Sequence, residues 1–187
     1  TLNGAAPATV DVMSGSGLVI NEIDYDQPGT DTVEFVEILN TSGSAIDLTG
    51  YELVYVNGAN NGDVIYETID LSVVGSIMPG QYLVVGAAAV TVPGTELKID
   101  SAASIQNGAP DAVGILDDLG MLVDALSYEN GADSVAAYTE GSPATAEDSG
   151  AVDGSMIRFP NGSDTDDAAT DWAFTITVTP GMSNLLQ

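Results

Sequence analysis

The stretch DAVGILDDLGMLVDALSY, Asp111–Tyr128, determines the fold class. Two short apolar runs, AVGIL and MLVDALSY, flank the linker DDLG, whose Asp and Gly residues are typical of a tight turn. Short apolar runs joined by such a turn predict a β-hairpin. We therefore expect two antiparallel strands connected through Asp117, Asp118 and Gly120.

The rest of the chain repeats this pattern of short apolar runs separated by turn residues. Between Gly, Pro, Asn and Asp residues, further short apolar runs recur: LVINEI, VEFVEIL, YELVYV, DVIYETI, QYLVVGA and WAFTITV. Their length and spacing predict an all-β sandwich or barrel, and no segment shows the pattern of an amphipathic helix. In the last run, apolar residues from Trp172 onward alternate with threonines up to Thr179, which predicts one half-buried strand over residues 172–179.

Residues 1–16, TLNGAAPATVDVMSGS, differ in composition from residues 17–187. They are small and polar, they end in a Ser/Gly hinge, and the alternation around Val10 and Val12 is typical of one strand. We predict two parts: an N-terminal arm at residues 1–16 and a β-domain at residues 17–187.

The charge of the chain excludes several classes of function. Its 187 residues hold 28 Asp and Glu against two cations, Lys98 and Arg158, with no His and no Cys, for a net charge of −26. Nucleic-acid binding needs many Lys and Arg, and Ser-His-Asp or thiol catalysis needs residues that the chain lacks. No run is long enough to cross a bilayer, so we expect no membrane insertion. The acidic balance and the first residue, Thr1, predict a processed, extracellular chain.

Six blocks resemble one known family. They are LVINEIDYD (18–26), EFVEILN (34–40), AIDLTGYELV (45–54), MPGQYLVV (78–85), the hairpin at 111–128, and GSMIRFPNGSDTDDAATDWAFTITVTPGMSN (154–184). In this order they resemble the lamin tail domain family of nuclear lamins and exported bacterial proteins. The resemblance implies an immunoglobulin-like β-sandwich, and the arm has no counterpart in the family's pattern. Because the family shares a fold and no single activity, the resemblance implies a scaffold and not an enzyme.

Alternation along the first two strands places glutamates among apolar side chains. Over residues 18–24 it predicts that Leu18, Ile20, Glu22 and Asp24 share a face. Over residues 33–39 it places Glu37 with Val33, Phe35 and Leu39 on one face and Glu34 with Val36 and Ile38 on the other, so either face holds a glutamate among apolar side chains. A buried carboxylate needs a cation, a metal, several hydrogen-bond donors or a proton.

Arg158 is the candidate cation, because it lies between the apolar residues Ile157 and Phe159. Its planar guanidinium suits a bidentate pair with a carboxylate. We predict a structural ion pair between Arg158 and Glu22 or Glu37; the alternative is an exposed arginine without a fixed partner.

Two acidic loops are candidate calcium sites, since calcium takes six to eight oxygen ligands. The first loop contains Asp24, Asp26 and Asp31, but it lacks the spacing of an EF-hand. The second loop offers four carboxylates within eight residues: Asp164, Asp166, Asp167 and Asp171. The alternative for both is a set of Asx-turns in which Asp accepts from local backbone N–H groups.

These features lead to two competing functions. The first is a non-enzymatic extracellular structural subunit that assembles into a filament, sheath or surface layer through strand addition by the arm, with calcium stabilising it. The alternative for the arm is that it folds back on its own domain. The second is a monomeric calcium-dependent module that binds a cell-surface glycan or mediates adhesion. A hydrolase with paired carboxylates ranks third, because nothing in the spacing favours it.

Overall fold

The computed structural model describes residues 17–59, 63–129 and 134–187; the predicted arm lies outside them. Within these ranges the chain forms twelve strands, one short α-helix and two 3-10 helices, Leu71–Val74 and Ala136–Tyr138. The strands are β1 (Leu18–Asp24), β2 (Phe35–Asn40), β3 (Ile46–Asp47), β4 (Glu52–Asn57), β5 (Val64–Asp70), β6 (Ser76–Ile77), β7 (Tyr82–Gly86), β8 (Leu97–Asp100), β9 (Asp111–Leu116), β10 (Leu122–Tyr128), β11 (Ser155–Arg158) and β12 (Trp172–Thr175), and the helix is α1 (Ala168–Asp171).

Two sheets make the sandwich. The first has the order β12-β11-β1-β2-β7-β8, the second has the order β10-β9-β4-β5, and β3 and β6 form a small separate pair. The pairings within the two large sheets are antiparallel, apart from β7 with β8. Apolar residues of both sheets pack into one main core, among them Ile20, Val36, Leu53, Val113 and Leu126. The predicted all-β sandwich is confirmed.

The hairpin of β9 and β10 forms as predicted. Asp117 directs its turn, because its carboxylate accepts from the backbone N–H groups of Leu119 at 2.9 Å and Met121 at 2.8 Å. Gly120 has a φ of +74°, a conformation that glycine adopts without steric cost. The turn residues thus act locally, which is why the sequence reveals them.

A β-bulge at Asn21 overturns the predicted faces of β1. Ile20 lies opposite Ile38, but Glu22 lies opposite Glu37, so one extra residue separates the two pairs. Ile20 therefore faces the core, whereas Glu22 faces outward from the sandwich. Asp24 follows Glu22 on the outer face.

The predicted strand over residues 172–179 is shorter than expected. β12 ends at Thr175, whose hydroxyl donates to the carbonyl of Leu185 at 2.7 Å. Ile176 is 59% exposed and does not continue the predicted apolar face. Residues 176–187, here called the C-terminal segment, leave the sheet edge and bind to the outer face of the six-stranded sheet.

Candidate functional site

Arg158 stands at the centre of a buried group of carboxylates, here called the arginine cluster. Its two terminal nitrogens contact four carboxylates: Asp124 at 2.8 Å, Glu140 at 3.1 Å, Asp171 at 3.1 Å and Asp164 at 3.3 Å. The Arg158 side chain has no exposed surface, and those of Asp124, Glu140 and Asp171 are each 1% exposed. One cation therefore contacts three acids that are fully buried and a fourth, Asp164, whose side chain is 27% exposed.

Burial and charge act against each other in the arginine cluster. Burial raises the pKa of Asp124 well above its ordinary value, although the charge of Arg158 opposes this. Burial also raises the pKa of Glu140. Burial disfavours the charged guanidinium, but Asp124 and Glu140 outweigh it and raise the pKa of Arg158. Arg158 therefore keeps its positive charge, and Asp124 and Glu140 hold a proton more tightly than water-exposed carboxylates would.

The predicted partners of Arg158 were wrong, although an internal ion pair was expected correctly. In the sheet register Glu22 lies opposite Ile157, so these two side chains share the outer face and the next residue, Arg158, points to the core side. Glu37 lies opposite Glu22 and is also on the outer face. The sheet itself separates the arginine from both glutamates.

Glu22 and Glu37 hold the C-terminal segment instead. Glu22 accepts from the backbone N–H of Thr179 at 3.0 Å and from its hydroxyl at 2.8 Å. Glu37 accepts from the backbone N–H of Gly181 at 2.6 Å, and Asn184 donates to main-chain oxygens of β1 and β11 at 2.9 Å. The Thr-Pro-Gly-x-x-Asn motif thus closes the outer face by donating to two fully buried carboxylates. Burial raises the pKa of Glu22, and it raises the pKa of Glu37 further.

The first predicted calcium loop does not bring its carboxylates together. Asp24 accepts from the side-chain amide of Gln27, and Asp31 accepts from the Gln27 backbone N–H at 2.9 Å. Asp26 lies over Gly150, where a Cβ would meet its carboxylate at 2.7 Å. Donors of Gln27 in the same loop thus bind both acids, but neither contact is an Asx-turn, because one donor is a side-chain amide and the other is a backbone N–H four residues before Asp31.

The second predicted calcium loop is divided between two roles. Asp164 and Asp171 belong to the arginine cluster. Asp167 caps helix α1 by accepting from a backbone N–H, and the backbone of Asp166 donates to Asp164 at 3.3 Å. Neither predicted loop gathers its acids around one point.

One set of carboxylates in the described ranges has a geometry that suits a metal. Oxygens of Asp124, Glu140 and Asp164 all lie within 4.8 Å of one another. The guanidinium of Arg158 contacts each of the three, so the positive charge that a metal would supply is already there. Asp124 was missed in the sequence, although an acid inside the apolar run MLVDALSY is a visible signal; Glu140 carries no such signal.

A second group of acids lies at one end of the sandwich, beyond the last residue of β1. This acidic end comprises Asp26, Asp111, Glu129, Glu147 and Asp148. Burial raises the pKa of Glu129 to about 7, and the nearby charges of Asp111, Asp26, Glu147 and Asp148 raise it further. Asp111 is 1% exposed, and burial raises its pKa too. Buried oxygens of both Asp111 and Glu129 have no hydrogen-bond partner.

An open groove of about 560 Å³ lies on the outer face beside the C-terminal segment. Phe35, Val90, Val178 and Met182 line it, together with Asp24. Burial raises the pKa of Asp24 to about 8, despite a hydrogen bond from Gln27 that opposes the shift.

The comparison with known families agrees with this architecture. The Lamin Tail Domain family matches residues 11–130, so the chain belongs to the lamin tail domain family, whose members have an immunoglobulin-like fold. The match begins inside the predicted arm, and β11 and β12 lie beyond its end yet complete the six-stranded sheet. No curated protein matches the chain. In the part of the chain that the structure describes, no helix has the length and apolar character to span a membrane.

Proposed function

We propose that this chain is a non-enzymatic extracellular structural subunit that joins to further copies of itself by strand addition at β5. The open edge of β5 is the observation that supports this proposal. β5 is the terminal strand of its sheet and pairs with β4 on one side. It is seven residues long, and Val64 and Ile65 are 58% and 43% exposed. A long edge strand with exposed β-branched side chains is a template for pairing with another chain.

The other sheet edges among the described residues are less suited to pairing with an added strand. Every residue of β10 is buried, and the turn Ala136–Tyr138 packs against that strand. β8 and β12 have four residues each, and β12 is bound through Thr175 to the C-terminal segment. The edge of β5 is therefore the one best suited to strand addition.

The arm, residues 1–16, is the proposed occupant of that edge on a neighbouring copy. Its alternating segment ATVDVM has the pattern of a strand, and its one acid, Asp11, is one of 28 in the chain. Two copies with a net charge of −26 each repel one another, and a nearly uncharged contact adds little to that repulsion. Strand addition of this kind is head-to-tail and does not close on itself, so it generates fibres.

Two further parts of the proposal rest on the family and the charge. The lamin tail domain family shares a scaffold, which supports a non-enzymatic role. The acidic surface suits a saline or calcium-containing exterior, where ions screen repulsion between subunits.

The test is negative-stain microscopy with sedimentation velocity on the full chain, on a chain without residues 1–16, and on the variant Ile65→Lys. A lysine on an edge strand disfavours pairing with another strand. Ile176→Lys is the matched control, because Ile176 is similarly exposed but lies outside the strands. We expect fibres from the full chain and the control, and monomers from the deletion and from Ile65→Lys.

Each part of the proposal can be rejected by a different result. Fibres from the deletion would reject the arm, and fibres from Ile65→Lys would reject the β5 edge. A full chain that stays monomeric at all salt and calcium concentrations would reject self-assembly and favour the adhesion module.

A further inference from the structure

Six of the ten asparagines in this chain stand directly before a glycine. Asparagine is thermally labile, and a following glycine favours loss of its side-chain amide, because no Cβ hinders the approach of the glycine nitrogen. The structure describes three of these pairs, at Asn57, Asn107 and Asn161, and the other three lie outside the described residues. The three described pairs have different surroundings, and these decide which asparagine reacts.

Hydrogen bonds hold the side chains of Asn57 and Asn161. The amide of Asn57 donates to the side-chain oxygen of Gln106 at 2.5 Å, and its carbonyl accepts from the backbone N–H of Ala59 at 2.8 Å. The amide of Asn161 donates to the Tyr82 hydroxyl at 3.2 Å, and its carbonyl accepts two further hydrogen bonds. A side chain bound at both ends cannot rotate onto the next backbone nitrogen without local unfolding.

Asn107 lies in the exposed loop before β9, and its side chain is free. No hydrogen bond holds this side chain within the part of the chain that the structure describes. The residue before it is anchored, because the backbone N–H of Gln106 donates to the Tyr66 hydroxyl at 2.9 Å and its carbonyl accepts from the Tyr128 hydroxyl at 2.9 Å. The Asn107 side chain can therefore rotate about a backbone that is held in place.

The nitrogen that follows Asn107 also has a distinctive partner. The backbone N–H of Gly108 donates to a carboxylate oxygen of Asp111 at 3.1 Å, whereas those of Gly58 and Gly162 donate to neutral amide oxygens. A carboxylate can take up a proton from the group that it contacts, and an amide oxygen is a far weaker base. Burial raises the pKa of Asp111, although hydrogen bonds from the backbone of Gly108 and Gly58 oppose the shift, and a raised pKa makes the carboxylate a stronger base.

We propose that Asn107 is a modification site at which the chain deamidates itself, with Asp111 as the proton acceptor. The backbone nitrogen of Gly108 attacks Cγ of Asn107 and closes a cyclic succinimide, while Asp111 takes up the proton of that nitrogen. The proton then reaches the side-chain amide nitrogen through solvent, the bond from Cγ to that nitrogen breaks, and ammonia leaves. Water opens the succinimide to aspartate or isoaspartate.

The reaction changes the charge of the loop that leads into β9. It replaces a neutral amide by a carboxylate close to the acidic end, and isoaspartate also lengthens the main chain by one carbon. Water is the only co-reactant, and no second copy of the chain takes part. The modification therefore goes beyond the proposed structural role and does not depend on self-assembly.

The test is incubation of the full chain at neutral pH, followed by peptide mapping with mass spectrometry at intervals. Mapping needs a protease that cleaves at acidic residues, because Lys98 and Arg158 provide only two sites for trypsin. We expect Asn107 to convert to the acid at least about tenfold faster than Asn57 or Asn161, whose reaction needs local unfolding. In urea, where this protection is lost, the three rates should approach one another.

Two variants test the neighbours of Asn107. Asp111→Asn should slow the conversion about tenfold or more, because it replaces the base by an amide. Asp47→Asn is the matched control, because Asp47 is exposed and accepts from Thr49 within its own turn. Gly108→Ala should also slow the conversion, since its methyl group hinders the attack; the fold has room for it, with the nearest atom, an Asp111 oxygen, 4.0 Å from the added Cβ.

A lost base and a loosened loop give opposite results in Asp111→Asn. If the variant only freed Gly108 and its loop, Asn107 would convert faster than in the wild type, because mobility helps the ring to close. An unchanged or raised rate, with a native circular dichroism spectrum, would therefore overturn the role of Asp111. Conversion of Asn107 no faster than that of Asn57 and Asn161 in the folded chain would overturn the site itself.

Discussion

The arginine cluster and the acidic end both contain buried carboxylates, but only the first contains a cation. In the arginine cluster, Arg158 contacts four acids at 2.8–3.3 Å. At the acidic end, Asp111 and Glu129 retain oxygens without partners. The glutamate pair on the outer face is intermediate, since backbone and hydroxyl donors serve it. A chain with two cations can therefore bury acids against an arginine or against uncharged hydrogen-bond donors.

The largest expected effect comes from removing the cation of the arginine cluster. Arg158→Met should lower the free energy of unfolding by about 3–5 kcal/mol, because it leaves four carboxylates without their shared partner. Urea unfolding followed by circular dichroism measures this. The loss should shrink at pH 4, where Asp124 and Glu140, whose pKa values are raised by burial, are protonated. A loss below about 1 kcal/mol at pH 7 would mean that the cluster does not need its arginine, and the contrast with the acidic end would disappear.

The glutamate pair should show a smaller effect. Thr179→Ala removes the hydroxyl that donates to Glu22 at 2.8 Å, and a hydrogen bond to a charged group contributes about 1.5–3 kcal/mol. Thr177→Ala is the matched control in the same segment and should change stability by less than about 0.5 kcal/mol. Equal urea midpoints for the two variants would show that the backbone N–H of Thr179 suffices for Glu22.

The pH dependence of stability tests the acids that have no cation. Burial raises the pKa of Asp24 from 3.8 to about 8, so the folded state keeps a proton that the unfolded chain releases. Stability is therefore greatest below about pH 4 for this group and is lost as the pH rises towards 8.

Asp24→Asn should remove that loss. We expect it to be more stable than the wild type at pH 8 by about 1.4 kcal/mol or more, the equivalent of one pKa unit, and unchanged at pH 4. Urea midpoints at the two pH values measure the difference. Asp47→Asn, at an exposed turn, should keep the pH dependence of the wild type; a variant Asp24→Asn that also kept it would contradict the raised pKa.

The smallest effect is expected at the other cation. Lys98 pairs with Asp100, whose side chain is 65% exposed, so Lys98→Met should cost roughly 0–1 kcal/mol. Measured beside Arg158→Met under the same conditions, it shows how far burial, and not charge alone, sets the importance of a cation. A loss as large as that of Arg158→Met would remove this distinction.

Local chemistry made much of the fold predictable from the sequence. The hairpin at residues 111–128 was correct because its turn depends on Asp117 and Gly120 within a few residues. The faces of β1 were wrong because the bulge at Asn21 arises from pairing with β2 and leaves no local signal. The predicted calcium loops had the required residue types, but their side chains bind donors that lie elsewhere in the chain or in their own turns.

By itself, the sequence determined the all-β class, the family, and the fact that two cations must serve 28 acids. It also indicated that Arg158, placed between apolar residues, forms an internal ion pair. The tertiary structure alone decided which acids surround it, because Asp124 and Glu140 reach it from distant segments and the bulge turns Glu22 to the other face. Alternation along one strand is a local property, whereas the distance between two charges depends on how the strands pair and stack.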